Sequence, residues 1–128
     1  MGTSVLDAAL RAIDEFGNAF HARDVERMAK TCNFPHVRLA GATMAIWHDT
    51  EEFLRARDIG GIPLEPDWHH SQEDTRNVVQ SSSEKVHVTI TFSRFNAAGE
   101  KISSFETLYV VTMQEGHWGV QLRSSFAP

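Results

Sequence analysis

The stretch KVHVTITFSRFNAAGEKISSFETLYVVTMQEGHWGVQLRSSF, residues 85–126, decides the fold of this protein. Apolar side chains recur at every second position in three runs within it, which predicts three consecutive antiparallel strands. Gly99, which can adopt a positive φ, and the pair Glu115-Gly116 supply the two hairpin turns between the runs. The three strands therefore form a meander with one continuous apolar face.

The lengths of the two turns predict which residues lie opposite one another in this meander. Phe92 is expected opposite Phe105, and Tyr109 is expected between Val88 on one neighbouring strand and Leu122 on the other. Residues in register share a face of the sheet. All five side chains are therefore predicted on its concave, apolar side.

The opposite face of the predicted meander carries a mixed set of side chains. Its members are His87, Thr89, Thr91, Ser93, Glu106, Leu108, Val110, Thr112, Gln121 and Arg123. The centre of this face is too apolar for contact with solvent alone, and the face as a whole is too polar for a core. It predicts a homodimer packed back to back through the sheet, with a solvated face as the alternative.

Two helices are predicted at the start of the chain. Apolar residues recur at intervals of three and four from Leu6 to Phe20, which is the stripe of an amphipathic helix that ends near His21. Asp24 can cap a short second helix, which ends before Pro35.

A hairpin follows, built from residues 35–40 and 43–48 around Gly41. Val37 is expected opposite Ile46, and this apolar pair is predicted to face the core. The same register places His48 on the apolar side. It places three further side chains on the other side, namely His36, Arg38 and Trp47.

Asp49 or Thr50 is predicted to start a third helix, which turns Phe53, Leu54 and Arg57 inward and ends at Gly60-Gly61. Residues 68–80 are consistent with one more strand. Helices segregated from antiparallel strands predict an α+β fold in a single domain over residues 1–128. We expect a cone in which a strongly bent antiparallel sheet wraps around a long N-terminal helix and two shorter helices. The inside of such a cone suits a small ligand.

Composition excludes several classes of partner. The net charge is −5, from 12 basic and 17 acidic residues, and no basic run occurs, which argues against a nucleic-acid partner. No apolar run approaches the roughly 20 residues of a membrane span, and we expect a cytoplasmic protein without a membrane partner. Cys32 is the single cysteine and is predicted to be a buried structural thiol.

Four segments, FGNAFHARDVERMAKTC, FPHVRLAGATMAIW, HDTEEF and YVVTMQEGHWGVQLRSSFAP, together resemble the nuclear transport factor 2-like superfamily. Within it, the chain resembles the SnoaL-like group of polyketide cyclases and ketosteroid isomerases. The resemblance implies a cone-shaped, cystatin-like fold with a cavity between the sheet and the first helix, and it implies frequent dimers. Isomerases, dehydratases, cyclases, binding proteins and association domains share this fold.

The resemblance does not extend to the residues of the ketosteroid isomerases. Their base is an aspartate on the segment that residues 34–41 resemble, where no carboxylate occurs. Their oxyanion-hole tyrosine comes from the first helix, which has only Phe16 and Phe20 here. Alignment on Asn96 places their acidic donor at Thr91 and turns Thr91 toward the cavity, against the register given above.

Proton transfer beside a carbonyl needs a base that titrates near neutral pH and donors for the developing oxyanion. His48 is the best candidate for the base, since it ends a strand on the predicted apolar side; the alternative is a histidine that supports the following helix. Tyr109 is either a donor in the pocket or a core residue with a satisfied hydroxyl. Further polar candidates are His36, His69, Asp74 and Arg94.

Large apolar residues are predicted to line the cavity for a flat ligand, with plain core packing as the alternative. They are Phe53, Trp68, Phe92, Phe105 and Leu122. No metal site and no cofactor are predicted. His69 and His70 are adjacent, so that on a strand they point to opposite faces, and neither an H-E-x-x-H motif nor a glycine-rich phosphate loop occurs.

The sequence therefore predicts a domain that binds a small hydrophobic molecule. The first alternative is an isomerase, cyclase or dehydratase that acts on a hydrophobic carbonyl compound, with His48 as base and Tyr109 as donor. The second alternative is a protein-association domain whose side chains fill the cone.

Overall fold

The structure, a computed structural model, describes residues 2–55 and 66–127. The elements are α1 (Gly2–His21), α2 (Val25–Lys30), β1 (Cys32–Ala40), β2 (Thr43–Trp47), α3 (Thr50–Arg55), β3 (His70–Ser81), β4 (Lys85–Phe95), β5 (Lys101–Gln114) and β6 (His117–Ser125). The strands form one curled sheet in the order β2-β1-β6-β5-β4-β3. The pair of β1 and β6 is parallel, and the other neighbours are antiparallel. The predicted α+β fold is confirmed.

The helix α1 lies against the concave side of the sheet. Its apolar stripe includes Ala9, Ile13 and Phe16, which are buried against the central strands at Val88 and Val120. None of the helices in the described part of the chain combines the length and the apolar character that a membrane crossing requires. The core therefore forms between the first helix and the inner face of β4, β5 and β6.

The meander of β4, β5 and β6 has most of its predicted register. Phe92 lies opposite Phe105, and Val88 lies opposite Tyr109. Val88 is fully buried, whereas the hydroxyl of Thr91 on the other face lies 2.6 Å from that of Thr75. The alignment that turns Thr91 toward the cavity is therefore wrong.

A bulge between Val110 and Val111 changes the register of β6 in its second half. Tyr109 lies opposite Arg123, and Val110 lies opposite Leu122. The predicted inward position of Leu122 is therefore wrong. Arg123, which was predicted on the outer face, is buried on the concave side instead.

The hairpin of β1 and β2 has the predicted pairing with its two faces exchanged. Val37 lies opposite Ile46, as predicted. His36 is fully buried, however, while Met44 and Ile46 are 60% and 47% exposed. The parallel pairing of Arg38 with Arg123 of β6 explains the exchange, because it requires both side chains to lie on the same side of the sheet.

The capping residues of both short helices agree with the sequence. Asp24 accepts a hydrogen bond from the backbone of α2, and Asp49 accepts one at the start of α3. Phe53 of α3 is fully buried, as predicted, but Leu54 is 40% exposed. The predictions for Arg57 and for Gly60-Gly61 lie outside the described residues.

Candidate functional site

A cavity of about 140 Å³ lies between α1 and the inner face of β3, β4 and β5. Its lining residues are Ile13, Phe16, Gly17, Phe20, His21, Ser71, Gln72, Glu73, Ile90, Phe92, Arg94, Thr107 and Tyr109. Apolar cavities of roughly 150 Å³ in other proteins hold a benzene molecule. The space is therefore sufficient for a group the size of one aromatic ring. We call it the ring cavity.

Three phenylalanines form the apolar wall of the ring cavity. Phe16 and Phe20 reach it from α1, and Phe92 reaches it from β4. The ring of Phe16 meets that of Tyr109 edge to face, with 6.2 Å between the ring centroids. The same helical stripe that builds the core thus also supplies this wall.

A smaller cavity of about 50 Å³ adjoins the ring cavity. Its lining residues are Arg38, Phe92, Arg94, Thr107, Tyr109, Arg123 and Ser125. Four of these residues, Phe92, Arg94, Thr107 and Tyr109, also line the ring cavity. We call this second space the arginine cavity, because three of its described lining residues are arginines.

Arg123 is held in the arginine cavity by His36 and Phe16. Its Nε donates a hydrogen bond to Nε2 of His36 at 3.0 Å, and its guanidinium carbon lies 4.9 Å from the centroid of the Phe16 ring. On the other side of the imidazole, Nδ1 lies 2.8 Å from the carbonyl oxygen of Val120. A guanidinium only donates and a carbonyl only accepts, so these contacts define a neutral His36 protonated at Nδ1.

The environment of His36 keeps it neutral. Burial, together with the positive charge of Arg123, lowers the pKa of His36 to about 3. A base with this pKa is too weak to accept a proton from a carbonyl compound near neutral pH. His36 therefore holds Arg123 in place as a neutral imidazole.

Arg94 and Arg38 are buried at the same place. Arg94 is 3% exposed, and its guanidinium carbon lies 5.2 Å and 5.6 Å from the centroids of Phe105 and Phe92. Arg38 is 7% exposed, and Arg123 is 3% exposed. Flanking aromatic rings thus support two of the three guanidinium groups.

The hydroxyl of Tyr109 is available to a ligand. Within the described part of the chain, this hydroxyl makes no hydrogen bond. In the same part of the chain, every fully buried side-chain nitrogen or oxygen has a hydrogen-bond partner, so the hydroxyl is not among the fully buried atoms. The hydroxyl oxygen must therefore be reachable from the cavity. Burial raises the pKa of Tyr109, while the nearby Arg123 opposes this shift, so the hydroxyl is protonated near neutral pH and can donate.

Polar residues occupy the side of the ring cavity next to β3. Nδ1 of His21 donates to the carbonyl of Gly17 at 2.9 Å, and its Nε2 accepts from the backbone N–H of Ser71 at 3.2 Å. The carboxylate of Glu73 accepts two hydrogen bonds from Arg76, at 2.7 and 2.8 Å. The positive charge of Arg76 thus offsets the negative charge of Glu73.

The structure brings only two of the predicted ligand-binding residues to the cavity, Phe92 and Tyr109. Phe53 packs in the core, where the centroid of its ring lies 5.4 Å from that of Trp47. Trp68 packs against Phe20 and donates a hydrogen bond to Ser71. Phe105 supports Arg94 from the side, as described above, and Leu122 lies on the outer face.

His48 lies away from both cavities. Its side chain is 71% exposed, and its Nδ1 lies 2.9 Å from the carboxylate of Glu52 on α3. The prediction that His48 faces the cavity is therefore wrong, because the hairpin that carries it exposes the face on which it was placed. His48 supports the start of α3 instead.

The two adjacent histidines also differ from their predicted placement. His69 precedes β3 and His70 begins it, so strand alternation does not separate them, and their Nδ1 atoms lie 3.0 Å apart. Within residues 2–55 and 66–127, no group of three or more potential ligands among histidine, cysteine, aspartate and glutamate converges on one point. Cys32 is buried as predicted, and burial raises the pKa of its thiol to about 12.

Arg94 was among the polar candidates from the sequence, whereas Arg38 and Arg123 were not. Arg94 shares its strand and its alternation with Phe92, so its inward direction could have been read from the sequence. Arg123 and Arg38 could not, because a bulge and an exchanged hairpin face decide their directions.

A curled sheet wrapped over a long first helix, with a cavity between them, defines a protein of the nuclear transport factor 2-like class. The family model described as "NTF2-like protein (DUF6841)" matches residues 7–122, and the chain belongs to this family. The resemblance stated from the sequence is thereby confirmed. A comparison with curated proteins found no significant match.

Solved structures with the same fold differ widely in sequence. An NTF2-like protein from Cytophaga hutchinsonii is 16% identical, with a TM-score of 0.70 over 95% of this chain and 97% of that one. A ketosteroid isomerase-like protein from Erwinia carotovora is 18% identical, with a TM-score of 0.64 over 96% and 97%. The association domain of C. elegans CaMKII is 13% identical, with a TM-score of 0.65 over 91% and 90%. These identities support a common fold and no more.

Proposed function

We propose that this protein binds a small hydrophobic molecule in the ring cavity between α1 and the sheet. The observation that carries the proposal is the cavity itself, which has an apolar wall of Phe16, Phe20 and Phe92 and the accessible hydroxyl of Tyr109. Ligand sites are typically concave and apolar with a few converging polar groups. The cavity volume corresponds to a ligand with one aromatic ring.

Binding is favoured over acid–base catalysis by the state of the candidate bases. His36 is held neutral with a pKa of about 3, and His48 lies on the surface. An isomerase, cyclase or dehydratase is the alternative, favoured by the similarity to a ketosteroid isomerase-like protein. In that case Glu73, the one carboxylate among the described lining residues of the ring cavity, is our candidate for the base, and Tyr109 is the donor.

Binding in the ring cavity is tested by blocking it from α1. Gly17 lines the cavity and a Cβ atom there would meet nothing within 4 Å, so we expect the side chain introduced by Gly17→Leu to extend into the cavity. With 3-phenylpropanamide as the probe, we expect a roughly millimolar Kd for the wild type and a Kd at least tenfold higher for Gly17→Leu. Titration followed by NMR measures both values.

The matched control for this experiment is His48→Ala, which changes an exposed residue outside the cavity. We expect its Kd for 3-phenylpropanamide to stay within twofold of the wild-type value. Absence of binding in the wild type, or unchanged binding in Gly17→Leu, contradicts the proposed function.

A second candidate function is self-association through the outer face of the sheet. Met44 and Ile46 are exposed there, on the same face as partly buried apolar residues of the central strands such as Leu108 and Leu122. One protein of the same fold is an association domain. We therefore propose a homodimer that covers this face, and we expect the protein in the cytoplasm.

The proposed dimer is tested with a charge at its centre. Leu108→Glu is expected to convert the protein from dimer to monomer, because a carboxylate would be buried in the apolar interface without a partner. Sedimentation velocity measures the mass in solution, and Asn18→Glu on the exposed side of α1 is the control that should leave the dimer intact. A wild-type monomer, or a dimeric Leu108→Glu variant, contradicts the proposal.

A further inference from the structure

We infer that the ligand enters and leaves the ring cavity through a gap between α1 and β3, and that an ion pair between Arg76 and Asp14 is the gate of this gap. The inference rests on the proposed function and concerns the regulation of the same site. Neither Arg76 nor Asp14 is among the described lining residues of the ring cavity. The gate therefore governs the rate of ligand exchange and not the affinity.

The gap lies where the wall of the ring cavity reaches solvent. β3 is the last strand of the sheet, and it faces α1 across the cavity. Two lining residues on this side, His21 of α1 and Glu73 of β3, are exposed. Two lining residues of the central strands, Ile90 and Thr107, are buried. A ligand therefore reaches the cavity most directly between α1 and β3.

Two polar contacts bridge this gap among the described residues. Near the start of β3, the backbone N–H of Ser71 donates to Nε2 of His21 at 3.2 Å. Farther along β3, Nη2 of Arg76 donates to the carboxylate of Asp14 at 2.7 Å. Asp14, Gly17 and His21 follow one another at intervals of three and four residues, which places them on one side of α1. Gly17 therefore lies between the two bridges, where it has no side chain to close the gap.

A bulge at Asp74 turns Arg76 toward α1. Strand alternation alone would place Arg76 on the opposite face of β3 from Glu73. The bulge shifts the register, so that Glu73 pairs with Phe92 of β4. Arg76 then pairs with Ile90, and both partners on β4 line the ring cavity. The extra residue thus brings the guanidinium to the inner face of the sheet, beside the carboxylate.

The bridge between Arg76 and Asp14 can open without loss of core packing. Glu73 of the same strand holds Nε and Nη2 of Arg76, so the bond to Asp14 is the one that crosses the gap. The side chains of Arg76 and Asp14 are 23% and 56% exposed, which allows water to replace this bond. No residue of β3 is buried, so the strand can move away from α1 without exposing core side chains.

The gate is tested by weakening the bridge and measuring how fast the uncharged probe 3-phenylpropanamide exchanges. Asp14→Asn removes the negative charge on α1, and Arg76→Met removes the cation. In each variant we expect kon and koff to rise together by about threefold, which is the size of effect that a partly exposed ion pair supplies. The Kd should stay within about twofold of the wild-type value. Line-shape analysis of an NMR titration gives all three quantities.

Glu15→Gln is the matched control for Asp14→Asn. It removes the same charge from the next residue of α1, which is exposed and forms no ion pair within the described part of the chain. We expect both rate constants of this variant to equal those of the wild type. If Arg76→Met does not fold, Asp14→Asn and this control decide the test.

Salt provides a second readout in the wild type. Between about 20 mM and about 500 mM sodium chloride, screening should weaken the bridge and raise both rate constants about twofold. Because the probe is uncharged, salt does not change its attraction to the protein. Arg76→Met has no such bridge to screen, so its rate constants should not rise with salt.

The outcomes separate the inference from the proposed function. Wild-type rate constants in both bridge variants overturn the inference and leave the proposed function standing. A rise of koff alone, with weaker binding, also overturns it, because the bridge would then stabilise the bound ligand instead of closing the gap. If the probe does not bind the wild type, the proposed function fails and the inference fails with it.

Discussion

Replacement of Gly119 by alanine is expected to destabilise the protein by about 3 kcal/mol, because β6 passes β1 too closely to accept a side chain there. A Cβ atom at this position would lie 2.8 Å from the backbone carbon of Cys32 and 2.8 Å from the side chain of Asn33. The first neighbour is backbone and cannot turn away. Strand β1 would have to move from its parallel partner.

The side chain of Asn33 makes this overlap more costly. It donates to the carbonyl of Thr112 at 2.8 Å and to that of His117 at 3.2 Å, and its oxygen lies 2.7 Å from Nδ1 of His117. Asn33 is buried, so a displaced amide would lose these bonds without gaining water in return. The effect therefore combines overpacking with lost hydrogen bonds.

Urea denaturation of Gly119→Ala and Gly17→Ala measures this difference. Gly17 lies in the interior of α1, where an added Cβ atom meets nothing within 4 Å. Gly17→Ala is therefore expected to stabilise the protein by about 0.5–1 kcal/mol, since alanine favours the helix over glycine. If both substitutions changed the free energy of unfolding in the same direction and by a similar amount, the close approach at Gly119 would not be decisive.

The free energy of unfolding is expected to fall by about 2 kcal/mol when the pH is lowered from 6.5 to 4.5, as a result of His36 alone. The pKa of His36 is about 3 in the folded protein, against an ordinary value of 6.5. Between these values the unfolded chain binds a proton that the folded protein does not. Stability is therefore complete above pH 6.5 and decreases by up to about 1.4 kcal/mol per pH unit below it.

The cause of this dependence is the set of contacts around the imidazole. A proton on Nε2 of His36 would point at Nε of Arg123, which also carries hydrogen, and the two positive charges would repel. The groups packed on the ring are aromatic, including Phe16, Phe53 and Trp47, and none of these three can neutralise the charge. Protonation is thus coupled to local opening.

The measurement is a series of urea denaturation curves between pH 4.5 and 8 for the wild type and for His36→Gln. Glutamine keeps a hydrogen-bond donor and an acceptor but does not titrate. The free energy of unfolding of His36→Gln should therefore depend less on pH than that of the wild type, by the amount assigned to His36. Carboxylates titrate in both proteins and cancel in the difference. A steep profile in His36→Gln would refute the assignment.

Local patterns predicted most of the fold correctly. The period of two in β4 and β5, together with the turn around Gly99, determined the register of Phe92 with Phe105 and of Val88 with Tyr109. The stripe of α1 and the caps Asp24 and Asp49 also needed only near neighbours in the sequence. Such features depend on backbone geometry over a few residues, which the chain specifies by itself.

The candidate site was predicted less well, because it depends on which face of each strand lies on the inner side of the sheet. Phe92 and Tyr109 were placed correctly, since they lie in the regular part of the meander. The register of a hairpin shows that Val37 and Ile46 share a face, but it does not show whether that face is the inner or the outer one. This choice followed from the pairing of β1 with β6, which are far apart in the sequence.

What the sequence by itself determined is therefore the order of the elements, the meander, the long first helix and the class of fold. The tertiary structure alone decided that Arg38 and Arg123 turn into the cone and that Leu122 turns out of it. A single-residue bulge between Val110 and Val111 and the parallel contact of β1 with β6 produce this change. The bulge reverses the face of the β6 residues beyond it, and the pairing of β1 with β6, which are far apart in the sequence, decides which face of the first hairpin points inward; neither is recorded by the local alternation of the strands.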